Sequence, residues 1–187
     1  MKRVEPKPDW MKGHEDRRCD SCYACCVHLG IEELRKYANA ACHHLKGSTD
    51  PTKRCSIYAQ RPSACRDYKC AWLAGLGPDW MRPSDCGILI TIYPSELDPT
   101  VVSATITIFD EKKYRQEYLD EIVEQFILLN ILELRVINPA RKIGLFYSRG
   151  DIYKCRLIPT PKGRYEGLMF EVPATPVGHY SRIEQPS

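Results

Sequence analysis

The chain of 187 residues contains no run of 18 apolar residues, which excludes a membrane-spanning helix. Its first residues, MKRVEPKPDWMKGHEDRR, lack the apolar stretch of a secretory signal, so a cytoplasmic location without membrane contact is expected. Charge of one sign is scarce: 27 Lys+Arg stand against 24 Asp+Glu, a formal +3. Nucleic-acid binding calls for a concentrated basic face, and this balance gives no strong signal for it. The motifs G-x-x-x-x-G-K-[ST], G-x-G-x-x-G and H-E-x-x-H are absent, and with them the sequence signs of a phosphate loop, a dinucleotide fold and a zinc-protease helix. The C-x3-C-x2-C triplet of radical enzymes that use S-adenosylmethionine is absent too. There is no internal repeat and no low-complexity segment.

Cysteine is what the chain does have. Of ten, Cys19, Cys22, Cys25, Cys26, Cys42, Cys55, Cys65 and Cys70 fall between residues 19 and 70, and Cys86 and Cys155 lie outside. A chain of this length buries a core without covalent staples. In a reducing compartment clustered thiols more often hold metal than form disulfides. Spacing favours the same reading. A disulfide places no demand on two-residue gaps, whereas C-x2-C on a tight turn aims two sulfurs at one ion.

Composition divides the chain into three zones. Residues 1–18 are charged, contain Pro6, Pro8 and Gly13, and read as a flexible arm. Residues 19–86 are cysteine-rich and broken by Gly and Pro, which predicts short helices and loops around a metal; residues 31–45, with Leu34, Ala38, Ala41 and Leu45 at helical spacing, are the best helix there. Residues 87–187 read as an α+β body with an irregular, proline-rich tail. In it Ile88, Ile90 and Ile92 alternate, as does VVSATITIF after a turn-rich stretch, predicting a hairpin. Residues 111–132 carry Tyr114, Tyr118, Ile122, Phe126 and Leu129 as one stripe of a long amphipathic helix, with Asp110 as its N-cap. Residues 142–148 and 152–158 form a second hairpin around Gly150, and residues 167–172 a short strand. The order β-β-α-β-β predicts a small antiparallel sheet with the helix on one face.

The segment CDSCYACC, residues 19–26, opens with C-x2-C-x2-C, the first three positions of a ferredoxin-type [4Fe-4S] run, but Cys26 follows at once where x3-C-P would continue it. A fourth ligand must come from elsewhere. Consecutive side chains point in different directions, so Cys25 and Cys26 either divide between two centres or one of them is a core thiol. Eight thiols make two sets of four, or one set with four left over. Cys42, Cys55, Cys65 and Cys70 offer no second C-x2-C, which matches zinc ribbons poorly. His43 and His44 either replace a sulfur or sit exposed at a helix end. Cys155, between Lys154 and Arg156, is either a nucleophile or a buried strand thiol, and Cys86 is a further candidate nucleophile. Trp10, Trp72 and Trp80 line a groove or fill a small core.

CDSCYACC, Cys42-His43-His44-Leu45, Cys55-Ser56-Ile57-Tyr58 and RPSACRDYKC, residues 61–70, resemble the CxxCxxCC cysteine-cluster family, the YkgJ-like zinc- or iron-chelating domain. The continuation to about residue 87 looks like a member-type extension, and no match is claimed beyond it. The resemblance implies a bacterial-type metal centre, an iron-sulfur cluster such as [4Fe-4S] or Zn2+, with Cys19, Cys22, Cys25, Cys26, Cys42, Cys55, Cys65 and Cys70 as candidate ligands. A flagellin lysine methylase carries a similar cluster, but no shared reaction follows. Arg61 and Arg66 match the RPxxCR piece, where guanidinium groups hydrogen-bond sulfur and offset cluster charge, or pair with Asp67 or another acid. Tyr58 and Tyr68 pack over the cluster. The expectation is a metal-binding protein. Its alternatives are an enzyme modifying a protein or peptide side chain beside the centre, and a zinc-stabilised module with a protein or peptide partner.

Overall fold

Alternating branched residues build the sheet. In β1 (Ile88–Pro94) and β2 (Val102–Ile108) the antiparallel register pairs Ile88 with Ile108, Ile90 with Ile106 and Ile92 with Ala104, putting all six on one face. The expected first hairpin is therefore present. The computed structural model describes residue 10 and residues 16–19, 21–47, 54–95, 99–131, 133–141, 143–148, 151–159 and 165–170, with side chains described only up to residue 145. The α-helices among the described residues are short or moderate: α1 (Ala24–His28), α2 (Ser63–Arg66), α3 (Pro83–Cys86) and α4 (Gln116–Leu128). Four further strands follow α4: β3 (Glu133–Asn138), β4 (Ile143–Ser148), β5 (Asp151–Pro159) and β6 (Tyr165–Phe170).

The fold is α+β, with one correction to its sheet. The six strands lie in the order β1-β2-β3-β4-β5-β6, and β2 pairs with β3 in parallel, Ala104 opposite Leu134 and Ile106 opposite Val136. An antiparallel sheet was expected because β3 was not read from the sequence. Two parallel neighbours need a crossover connection, and α4 provides it. The later pairs are antiparallel; β4 against β5 is the expected second hairpin, and its central residues, 149 and 150, lie outside the described residues. The strand expected at 167–172 is β6, two residues earlier.

Helix α4 is shorter than the 22-residue stripe suggested. It begins after Arg115, with no side-chain cap, and buries Leu119, Ile122, Val123, Gln125 and Phe126. Asp110 instead closes the preceding turn, accepting from Lys112 N–H at 3.1 Å through its carboxylate. Residues 31–45 are not a helix. Beyond a 3-10 turn at Glu32–Leu34, Arg35 (φ 47°) and Asn39 (φ 58°) adopt left-handed backbone, and Ile31 pairs with Lys36 in an isolated bridge. Left-handed dihedrals interrupt the i to i−4 ladder, so the apolar spacing has no helix to act on.

One core runs through the zones that composition separated. Trp10, Ala24, Cys70, Ala71, Trp72, Met81 and Cys86 belong to the same buried cluster as Ile88, Ile106, Phe126 and Leu134. Within the expected arm, Trp10 is fully buried, meeting Phe126 edge to face with centroids 5.9 Å apart and donating from Nε1 to Glu121 Oε1 at 3.2 Å. Arg17 donates to the carbonyls of Trp72, Leu76 and Gly77 at 2.9, 3.1 and 2.7 Å and meets Asp79 at 3.1 Å. Gly87 (φ +72°) ends α3, where a Cβ would lie 2.4 Å from Asp110 O, so the chain enters β1 only with glycine there. Among the described residues no helix is long and apolar enough to cross a membrane.

Trp10→Ala is expected to destabilise the fold by about 3–5 kcal/mol, the usual cost of removing a large buried aromatic. Denaturant unfolding measures it, and a loss below about 1 kcal/mol, the ordinary effect of a point substitution, would contradict the docking of this residue.

Candidate metal centre

Each cysteine is aimed by a short turn. The C-x2-C of Cys19 and Cys22 closes with Cys22 N–H donating to Cys19 O at 2.7 Å, and Cys26 N–H donates to Tyr23 O at 2.9 Å as α1 begins. The chain then returns alongside, Cys42 N–H donating to Cys26 O at 2.9 Å, and Leu45 bridges to Cys55. Pro62 sets the entry to α2, where Cys65 N–H donates to Pro62 O at 2.9 Å. Two bonds fasten this region to the edge strand: Ala71 N–H to Ile90 O at 2.9 Å and the hydroxyls of Tyr68 and Thr91 at 2.9 Å.

The turns enclose a cavity of about 130 Å³. Cys19, Cys22, Cys25, Cys26, Cys42, Cys55 and Cys65 line it, together with the cations Lys36, Arg54 and Arg61 and an apolar wall that includes Leu29, Ile31 and Ile57. Cys70 lies behind the wall, buried, its sulfur accepting from backbone N–H groups of Leu73 and Trp72 and close enough to Cys22 and Cys19 to act on them. Cys19 has Cys22, Cys70 and Cys26 as neighbours, and Cys65 has Cys26, Cys42 and Cys55, so Cys26 borders both groups. Among the described residues, no three His, Cys, Asp or Glu side chains converge closely enough to hold a single metal ion.

Crowded thiols resist ionisation unevenly. Burial, then the neighbours Cys22, Cys70 and Cys26, push Cys19 up to about 11, against the pull of Arg61, although the residue keeps an exposed edge at the cavity mouth. Cys25 and Cys26 are hydrogen-bonded to each other, and this bond with burial holds Cys25 well above the ordinary thiol value. The same bond lowers Cys26 to about 7, helped by Lys36, Arg54 and Arg61 against its own burial. The shared proton thus stays on Cys25. Burial pulls Lys36 below the ordinary lysine value, and the thiols of Cys42, Cys26, Cys25 and Cys65 oppose that.

Of the two readings of the adjacent pair, the core thiol is not what is found: Cys25 and Cys26 are both half-buried and both line the cavity. His44 reaches the wall, with Nδ1 3.0 Å from Ser56 Oγ, and His43 is exposed beside it at 4.0 Å between rings. Arg61 lines the cavity, donating from Nε to Tyr58 O at 3.0 Å and lying 3.8 Å over the Tyr58 ring. Arg66 does not; it is exposed at the end of α2, because one helical step past Cys65 turns it to solvent. Tyr58 and Tyr68 both contribute wall. Trp10 and Trp72 fill the core and Trp80 stacks on Tyr118 at 4.5 Å, so no tryptophan is among the described lining residues. Cys86 is a core thiol, pushed up to about 12 by burial and donating to Met81 O and Ile88 O at 3.5 and 3.6 Å. Cys155 falls on β5 opposite Gly144 and Met169, and its side chain lies outside the described residues.

Sequence reasoning missed Lys36 and Arg54. Lys36 is buried in the stretch read as a helix, and Arg54, also buried, donates from Nη1 to Cys22 O at 3.1 Å and lies 5.5 Å over the Tyr23 ring. The available signal was cations set among the cysteines, Lys36 six residues before Cys42 and Arg54 next to Cys55. Comparison with protein-family models, curated proteins and solved structures finds no match to this chain.

In the metal-free protein, Cys26 is expected to react with iodoacetamide at neutral pH before Cys19 and Cys86, because only the thiolate attacks. Mass mapping after brief labelling checks the order. As pH rises toward 11, Cys19 should join; labelling of Cys86 ahead of Cys26 would overturn the assignment.

Proposed function

We propose that the cavity holds an iron-sulfur cluster of the [4Fe-4S] kind, and that the chain is a metal-binding protein of the CxxCxxCC class it resembles. One observation carries this reading: among the described residues seven thiols line a single cavity, and no three of them converge on a point. A zinc ion needs four sulfurs about 2.3 Å from one centre. A cluster instead takes one thiolate at each of its separated irons, so sulfurs spread around a volume suit it. The cations Lys36, Arg54 and Arg61 offset the charge that thiolates bring, and the backbone N–H groups of Leu73 and Trp72 directed at Cys70 would hydrogen-bond its sulfur and tune it. When bound, such a cluster supplies one-electron chemistry or a structural cross-link.

A second reading draws on the count of eight clustered cysteines, two sets of four. Two zinc ions in four-thiolate sites would use eight cysteines.

Anaerobic purification separates them. The cluster reading expects brown protein, a broad visible band, and about four iron and four sulfide per chain. Cys22→Ser and Cys65→Ser are each expected to lose nearly all the iron, since a hydroxyl replaces a soft thiolate poorly, while Cys86→Ser keeps it. Colourless protein with two zinc per chain, one lost in each of the first two variants, would decide for the second reading.

A further inference from the structure

Lys36 is buried to 7% exposure, just after the turn Glu32–Leu34, and its ammonium reaches three carbonyl oxygens: Val27 at 3.0 Å, Leu29, and Tyr37 at 3.1 Å. An ammonium has three N–H donors, and all three are spent here. None is left for sulfur. Carbonyls supply dipoles but no countercharge, and among the described residues no carboxylate forms an ion pair with it. Facing it across the cavity it lines are the thiols of Cys42, Cys26, Cys25 and Cys65, which carry opposite charge only as thiolates, while Arg54 and Arg61 line the same cavity as further cations. Burying a charge is costly unless an opposite charge accompanies it, so a fold that places an ammonium here is fitted to anionic contents.

We infer that Lys36 is a positioning and charge-compensating residue for the metal-thiolate group, acting on it through its full charge and not through an N–H···S bond. The inference rests on the cluster reading above. Two consequences are built into the geometry. The carbonyls of Val27 and Leu29 lie at the C-terminal end of α1, where a cation is favoured, so Lys36 fixes the helix that presents Cys25 and Cys26. A fixed positive charge beside the cluster also favours the state carrying one more electron, so its removal lowers the reduction potential.

The test compares wild type, Lys36→Met and Lys36→Arg, each reconstituted anaerobically with ferrous iron and sulfide. Iron content, far-UV circular dichroism and the midpoint potential in a mediated dithionite titration are read for each. One electron passes from dithionite to the cluster, and no bond or proton at Lys36 changes. Lys36→Met is expected to shift the reduced-to-oxidised ratio about tenfold toward oxidised, a fall of about 59 mV for a one-electron couple, while Lys36→Arg keeps the wild-type midpoint. A loaded Lys36→Met protein with the wild-type midpoint overturns the inference alone. So does Lys36→Arg shifted as far as Lys36→Met, which would assign the effect to the carbonyl cage. If Lys36→Met retains no iron, Lys36→Arg decides: full iron at the wild-type midpoint upholds the role of charge, and loss of iron refutes it. Wild type that takes up neither iron nor sulfide removes the cluster reading itself, and this inference with it.

Discussion

Like groups held at close quarters are the constraint around which this molecule is arranged. Seven thiols face one cavity of about 130 Å³, and each that ionises makes the next harder to ionise. The surroundings answer in three ways. Burial keeps Cys19 and Cys65 protonated above their ordinary range, a hydrogen bond lets Cys25 carry the proton for Cys26, and cations enter from three places in the chain, Lys36, Arg54 and Arg61. Scarce regular structure follows from the same constraint. Sulfurs spread over residues 19–65 reach one space only if the chain reverses often, and a helix of ordinary length would carry neighbouring cysteines apart.

Such a region has little internal structure to hold its shape, and the body supplies it. Ala71 bonds the exposed edge of β1, Tyr68 reaches Thr91, and Arg82 donates from Nη2 to Cys19 O at 2.9 Å while lying 5.5 Å over Trp72. Arg17 stacks on the same indole at 4.8 Å. Trp72 is therefore a junction: one ring meets the guanidinium tied to the Cys19 turn and the one tied to the 76–79 loop. An edge strand is a hazard when left bare, and here the cysteine region covers part of it.

Much of the body was legible because alternation reports burial directly. Ile88, Ile90, Ile106 and Ile108 are apolar for the same reason they are buried, and the stripe through Ile122 and Phe126 reports a helix face. β3 was not legible because Leu134 and Val136 follow the end of that stripe at residue 132 with no Gly or Pro to mark a new element. The clustering of the cysteines was also legible, since C-x2-C spacing is itself a geometric statement. What was not legible depended on distant partners. Trp10 sits among charges and prolines, and nothing local announces that Phe126 waits for it; residues 31–45 have helical spacing, yet Lys36 is drawn instead to the carbonyls of Val27 and Leu29. Arg66 looked equivalent to Arg61 in the motif, and a single turn of α2 separates their fates.

The chain order of these contacts carries a consequence for biosynthesis. Every cysteine of the cavity leaves the ribosome before the surfaces that steady it: Ile90 and Thr91 come after Cys70, and Phe126, against which Trp10 packs, comes later still. Domains generally fold as units during N-to-C synthesis, and this one cannot complete its unit until α4 has emerged. The nascent thiols thus spend the making of at least fifty further residues without the body that steadies them. On the cluster reading proposed above, iron and sulfide would have their easiest access in that interval.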